Sequence, residues 1–336
     1  GQVPAEHVST PHPQFARLPA WEVVTVLVDD PAVRGALNSV LGQNYLMHPH
    51  RYCHVNAPES AGQRAHQDTY EGEEQVKRHR CRWVLVFYYP QTTTADMGAS
   101  AVLSGTQYYE TADAARTHPE KVLCGEAGTV VIAHYDLWHR ATANTSTKKR
   151  YMLKFQFARL QEPREPCWDH RQAAWDPPTA NRAVALDVWN WLRGCPDAPP
   201  SDPGQKDAAR LLEELQEGEE ARRLHAAFAL GSRGAAVVPQ ILEALRREAR
   251  EVVDRIEAKT ADNGHGTNPT APAASHALAV SGEPAIEGLQ QALRDEEWYV
   301  RACAADALAN MGSAARHAVG GLTAATGDPH WWVRRN

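Results

Sequence analysis

The chain changes its pattern of apolar and polar positions near residue 160. Before that point, short strand-like runs follow one another: RYCHVN (51–56), RWVLVFYY (82–89), SAVLSG (100–105), GTVVIAHY (128–135) and RYMLKFQFARL (150–160). They are rich in β-branched and aromatic residues and are separated by Gly, Pro and polar turns. Several short strands without long helices between them predict a sandwich or jelly roll, not an alternating α/β sheet. In the last run Arg150, Met152, Lys154 and Gln156 share one face, and Tyr151, Leu153, Phe155 and Phe157 form the apolar opposite. The aromatic face is expected to pack on flanking helices while Arg150 points into the barrel. Ahead of the strands, residues 19–45 read as helical, with Asp30 suited to the N-cap, Pro31 to the first helical position and Gly42 to the C-terminal stop.

From residue 161 the pattern turns helical and repetitive. A Pro- and Trp-rich connecting segment with one helix, RAVALDVWNWLRG, occupies 161–204 and ends in the linker-like CPDAPPSDPG. Beyond it, AAFALGSRGAA, ASHALAVSGEPA and AADALANMGSAA align so that Leu230, Leu278 and Leu308 fall in register. Each is followed four residues later by a glycine: Gly234, Gly282 and Gly312. Helix, tight turn, helix at this spacing resembles HEAT-like repeats, in which units stack because none can bury its apolar face alone. The extra residues KTADNGHGTNPTAP separate the first two units as a loop, and a further unit begins at DPHWWVRRN. The expected organisation is α+β, with a jelly-roll domain at 1–160, the connecting segment at 161–204 and an all-α repeat domain at 205–336.

Composition narrows the function classes. With 336 residues and 43% hydrophobic content, the chain can bury a core in each of two domains. No run of roughly eighteen apolar residues and no charged-then-apolar leader is present, and the opening Gly in place of Met is what a trimmed chain would have. The six cysteines, at 53, 81, 124, 167, 195 and 303, form no C-x-x-C pair, so reduced thiols and a cytoplasmic location are expected. Net charge is −6; residues 1–160 hold 16 basic and 15 acidic side chains and the remainder 19 and 26. An acidic excess concentrated in the C-terminal half argues against a nucleic-acid groove, which needs clustered Lys and Arg, and no membrane association is expected.

His66 and Asp68, in GQRAHQDTYEG, are separated by one residue, which in an extended strand turns both side chains to one face. Two such ligands and a distant histidine on one face of an octahedron form the donor set of non-haem Fe(II) sites, with positions left open. GTVVIAHYDLWHRATAN brings His139 to the start of a following strand, and Arg150 comes on the next. A permanently charged, planar guanidinium suits the far carboxylate of a diacid cosubstrate.

The order H-x-D, VLSGTQYY, GTVVIAHYDLWHRATAN and then Arg resembles the phytanoyl-CoA dioxygenase family of Fe(II)- and 2-oxoglutarate-dependent oxygenases, over residues 20–160. Ser104 and Gln107 stand where that family usually has Pro and His. The resemblance implies a double-stranded β-helix. It implies His66, Asp68 and His139 as iron ligands and Arg150 as the partner of the 2-oxoglutarate C5 carboxylate. Matching HVNAP to the family's corresponding strand also implies that Arg51, Cys53 and Val55 face the pocket, and Phe87 is a further lining candidate. His134 and Arg140 flank the iron region as orienting groups. The cofactors implied are Fe(II), 2-oxoglutarate and O2, for hydroxylation of a small molecule; Asp68 stands where related halogenases have a small residue.

Rival readings weigh against parts of this picture. His48, His50 and His54, at alternate positions, would suit zinc, but Pro49 interrupts their strand. Singly, His66, Asp68 and His139 read as a loop residue, an N-cap and a turn residue. KRHRCR, 77–82, is the one basic cluster that could meet CoA phosphates and equally suits a solvated turn. A scaffold acting through the repeats, or an oxygenase acting on a protein partner held by them, is the alternative to a small-molecule enzyme.

Overall fold

The computed structural model describes residues 15–17, 27–68, 79–171, 175, 181–195, 207–257 and 272–336. They fall into two compact units. One is drawn from 1–68 and 80–171, the other from 69–79 and 172–336. The helix expected in the connecting segment is grouped with the repeats, and the first unit runs to 171, past the expected boundary at 160. The expected helical start (19–26) and the inserted loop, apart from Pro272, lie outside the described residues.

The first unit is a jelly roll. Strands β1 (Phe15–Arg17), β2 (Tyr45–Asn56), β3 (Trp83–Tyr88), β6 (Val130–His134) and β8 (Arg150–Arg159) form an antiparallel sheet in the order β1-β2-β8-β3-β6. Strands β4 (Ser100–Leu103), β5 (Glu120–Val122) and β7 (His139–Ala141) form a second sheet, β5-β4-β7. Its free edge is extended by residues 63–66, through Gln63 N–H to Ala141 O and reciprocal bonds between His66 and His139, each 2.9 Å. Strands far apart in sequence thus lie side by side, as jelly-roll winding requires.

Helix α1 (Pro31–Leu41) covers the outer face of the larger sheet. Asp30 caps it, its carboxylate accepting from the Ala32 and Val33 N–H groups at 2.9 and 3.2 Å, and Pro31 opens it where no N–H is needed. Val33, Leu37 and Leu41, spaced at helical intervals, pack on Val84, Val86, Leu153, Phe155 and Phe157. Leu37 and Leu41 are fully buried, a contribution of about 1.5–3 kcal/mol each. The alternate residues of the same strands, Leu85, Phe87 and Met152, form a separate inner cluster with Tyr89. The barrel interior is thus shared by this apolar cluster and the polar Arg150 and Lys154 of β8. Pro49 does not end β2; its pairing with β8 slips between Met47 and Arg51, and the strand continues.

The second unit is all helical: α3 (Arg182–Leu192), α4 (Ala208–Glu217), α5 (Glu220–Gly231), α6 (Val238–Glu257), α7 (Ala273–Ser281), α8 (Ile286–Ala292), α9 (Trp298–Met311), α10 (Val319–Ala325) and α11 (Trp331–Arg335). A short helix in the first unit, α2 (Ala112–Arg116), stands apart from these. Leu230, Leu278 and Leu308 are buried, and Gly234, Gly282 and Gly312 have φ of +70°, +64° and +60°. Only glycine adopts that backbone without strain, so the repeated Leu-to-Gly spacing is the turn of each helix pair. No helix among the described residues is long and apolar enough to cross a membrane.

Candidate metal centre

The residue pair that joins segment 63–66 to β7 also makes the site. His66 and His139 exchange both backbone hydrogen bonds, so their side chains leave the sheet on one face, with ring centroids 4.6 Å apart. Each ring is turned the same way by its own chain. Nδ1 of His66 meets the Arg64 carbonyl at 3.0 Å and Nδ1 of His139 the Leu137 carbonyl at 2.9 Å. Since a carbonyl only accepts, Nδ1 carries the proton and the Nε2 lone pairs face inward. Asp68 Oδ1 lies 4.0 Å from Nε2 of His66 and 3.5 Å from Nε2 of His139. The three ligand atoms lie within 4.8 Å of one another, and among the described residues no other such group of His, Cys, Asp or Glu converges.

Lys154 supplies the positive charge that the cluster otherwise lacks. Its ammonium pairs with Asp68 Oδ2, and its side chain is 6% exposed. Burial alone would push the Asp68 carboxyl up, but the Lys154 ammonium and the His139 ring hold it well below the usual carboxylate range. Burial and the neighbouring His139 ring lower His66, against the pull of the Arg64 carbonyl. Asp68 is therefore ionised and His66 neutral at physiological pH, the protonation states a metal requires.

The cluster opens on a cavity of about 210 Å3 between the two sheets. Arg150 lies in its wall, 2% exposed. Its Nε and Nη2 both donate to the Gly98 carbonyl, at 3.0 and 2.8 Å, while its buried Nη1 has no hydrogen-bond partner. Burial lowers its pKa, partly offset by Tyr89 and Cys53. A permanently charged guanidinium with a spare donor is fitted to an incoming carboxylate. The nitrogen and oxygen donor set at the other end fits Fe(II).

Phe87 also lines the cavity, its ring 6.0 Å from that of His139. Arg51 and Cys53 do not, which corrects the expected face of β2 at those two positions, while Val55, expected with them, does line the cavity near the strand end. Strand partners share a face, and Arg51 and Cys53 pair with Phe155 and Leu153, both of the outer cluster under α1. His54 and Asn56, paired with Met152 and Arg150, line the cavity in their place. The zinc alternative does not assemble among the described side chains. His48 lies edge-on to Trp83 and His54 faces the cavity; the side chain of His50 lies outside the described residues. His134 accepts from the Asp136 N–H at 3.1 Å, a turn role. Arg140 lines the cavity but is engaged by Glu120 at 2.6 and 2.8 Å.

Sequence reasoning put Lys154 on the face of Arg150 and assigned it no role; the same two-residue alternation carries it into the cavity. Gly98 and Asn56 were missed. Asn56 Nδ2 donates to the Gly98 carbonyl at 3.0 Å, so one oxygen gathers Asn56 and Arg150. No local pattern announces that contact.

Jelly-roll topology and a two-histidine, one-carboxylate cluster at a cavity define the class of protein. Residues 15–152 match the family described as Phytanoyl-CoA dioxygenase (PhyH), and residues 270–336 match HEAT repeats. Residues 15–152 are thus similar to phytanoyl-CoA dioxygenases, and residues 270–336 to HEAT repeats. No curated protein matches it in sequence. It is similar to the solved structures of EvdMO1 (17% identity, 40% of this chain and 32% of that chain, TM-score 0.34) and AviO1 from Streptomyces viridochromogenes Tue57 (14%, 41% and 62%, 0.35). A third, EctD from S. alaskensis with 2-oxoglutarate and 5-hydroxyectoine, shares 16% identity over 47% of this chain and 60% of that one, with a TM-score of 0.37. The alignments span less than two thirds of each of these structures.

Proposed function

We propose that the jelly-roll domain is an Fe(II)- and 2-oxoglutarate-dependent dioxygenase that hydroxylates a C–H bond of a small molecule, releasing succinate and CO2. One observation carries this reading: the His66, Asp68 and His139 ligand atoms converge at the cavity into which Arg150 brings an unpartnered Nη1. His66, Asp68 and His139 would hold the iron, which when bound supplies the oxidising chemistry. Arg150 would hold the distal carboxylate of the cosubstrate, fixing its keto-acid end toward the histidines. Phe87 and Met152 give the cavity apolar wall that excludes water. Because Asp68 supplies a carboxylate where a halide would need space, hydroxylation is the outcome favoured.

A scaffold acting only through the repeats would have no use for a buried arginine with a spare donor beside a charged cluster. The test is anaerobic binding of Fe(II) and 2-oxoglutarate, followed by succinate release in air across a panel of small molecules. Wild-type protein is expected to bind both and release succinate, and Asp68→Ala to lose iron retention and turnover together. Failure of the wild type to bind either ligand would sink the proposal.

A further inference from the structure

The geometry points to Lys154 as the residue that keeps Asp68 a one-oxygen ligand, and so keeps a position on the metal open; this inference rests on the iron and 2-oxoglutarate reading above. The two oxygens of Asp68 have separate partners. Oδ1 faces the Nε2 atoms of His139 and His66 at 3.5 and 4.0 Å, whereas Oδ2 is held by the Lys154 ammonium. Neither side chain can readily exchange the pair for water, since Lys154 is 6% and Asp68 16% exposed. Lys154 is anchored as well, because β8 is interior to its sheet and Lys154 pairs with Tyr52 on one side and Phe87 on the other.

The consequence follows from counting positions. Two imidazoles and one carboxylate oxygen leave three sites on an octahedral ion. A keto acid binding through two oxygens takes two of them, and the last is needed for O2. A carboxylate free to rotate could chelate through both oxygens and close that last site. The ammonium on Oδ2 prevents this by making its release from Lys154 costly in a shielded pocket. Arg150 and Lys154, four residues apart on one strand face, thus act on opposite ends of the site.

Full-length protein loaded with Mn(II) and saturating 2-oxoglutarate provides the test, read as water-proton relaxation from exchangeable water on the metal. Wild type is expected to keep that water, Lys154→Met to lose it, and Lys154→Arg, which restores a cation at Oδ2, to regain it. Lys154→Gln, shorter and uncharged, replaces the methionine variant if that variant does not fold, with the same loss expected. Unchanged relaxation in a folded Met or Gln variant that still binds Mn(II) and 2-oxoglutarate overturns the role of Lys154. So does failure of the arginine variant to restore the water. Absence of Mn(II) and 2-oxoglutarate binding by wild type would instead overturn the oxygenase reading, and this inference with it.

Discussion

Arg150 is a charge kept at 2% exposure with two of its nitrogens spent on a single carbonyl and the third unspent. Such a group is costly without an anion and strongly favourable with one. Arg150→Ala is therefore expected to weaken 2-oxoglutarate binding by about thirtyfold or more, the equivalent of at least ~2 kcal/mol for a buried charged hydrogen-bonded pair. Iron retention should be little changed, because the three ligands stand elsewhere. Calorimetric titration of 2-oxoglutarate into the metal-loaded variant checks both halves, and equal affinity in variant and wild type would remove Arg150 from that role. Arg150 could be singled out from its spacing after His139 together with strand alternation. Its Gly98 partner could not, since that bond joins β8 to a turn fifty-two residues earlier in the chain.

At the scale of elements, Gly98 shows how a turn serves the site. It has φ of +72°, and a Cβ there would come within 2.1 Å of Asn56 Nδ2. Its carbonyl is the acceptor for Arg150 and Asn56 together. Gly98→Ala is expected to lower stability by about 1–3 kcal/mol through left-handed strain and the steric clash. It should also weaken 2-oxoglutarate binding although Gly98 does not reach the cosubstrate itself. Chemical denaturation and the same titration would read the two effects, and a stable variant with unaltered binding would show the turn to be irrelevant to Arg150. Strand β8 and helix α1 were legible because each carries its own signal, alternation in one and the Asp30, Pro31 and Gly42 boundaries in the other. The facing of β2 was not, since the slip around Pro49 and the pairing with β8 set its parity. Segment 63–66 was legible only as a pair of ligand types; its attachment to β7 is a long-range bond with no local period.

At the scale of the molecule, the charge excess of the C-terminal half takes on structural meaning in the helical unit. Its repeat glycines and leucines were readable from self-similarity, but the ion pairs that join successive repeats were not, because each partner looks like a surface charge in sequence. Arg301 on α9 donates through Nε and Nη2 to both oxygens of Asp328 at 2.7 and 3.1 Å and through Nη1 to the Asp295 carbonyl at 2.9 Å. The two side chains are 14% and 10% exposed, so solvent screens them little. The hydrogen bond from Arg301 holds the Asp328 carboxyl below its usual range, burial opposing and the His330 N–H assisting. A carboxyl with a folded pKa below its unfolded value stabilises the fold above the unfolded value, about 3.9, and loses that contribution as pH falls through the folded one. Arg301→Gln is thus expected to destabilise the helical unit by about 1–3 kcal/mol at neutral pH. The difference from wild type should shrink as pH falls below about 4 and disappear once pH has passed the lowered pKa of Asp328 in folded wild type. Urea unfolding followed by helical circular dichroism at a series of pH values measures this directly; a difference that stays constant down to the acid end would mean that Arg301 acts through packing and its backbone contacts, with no contribution from the carboxylate of Asp328.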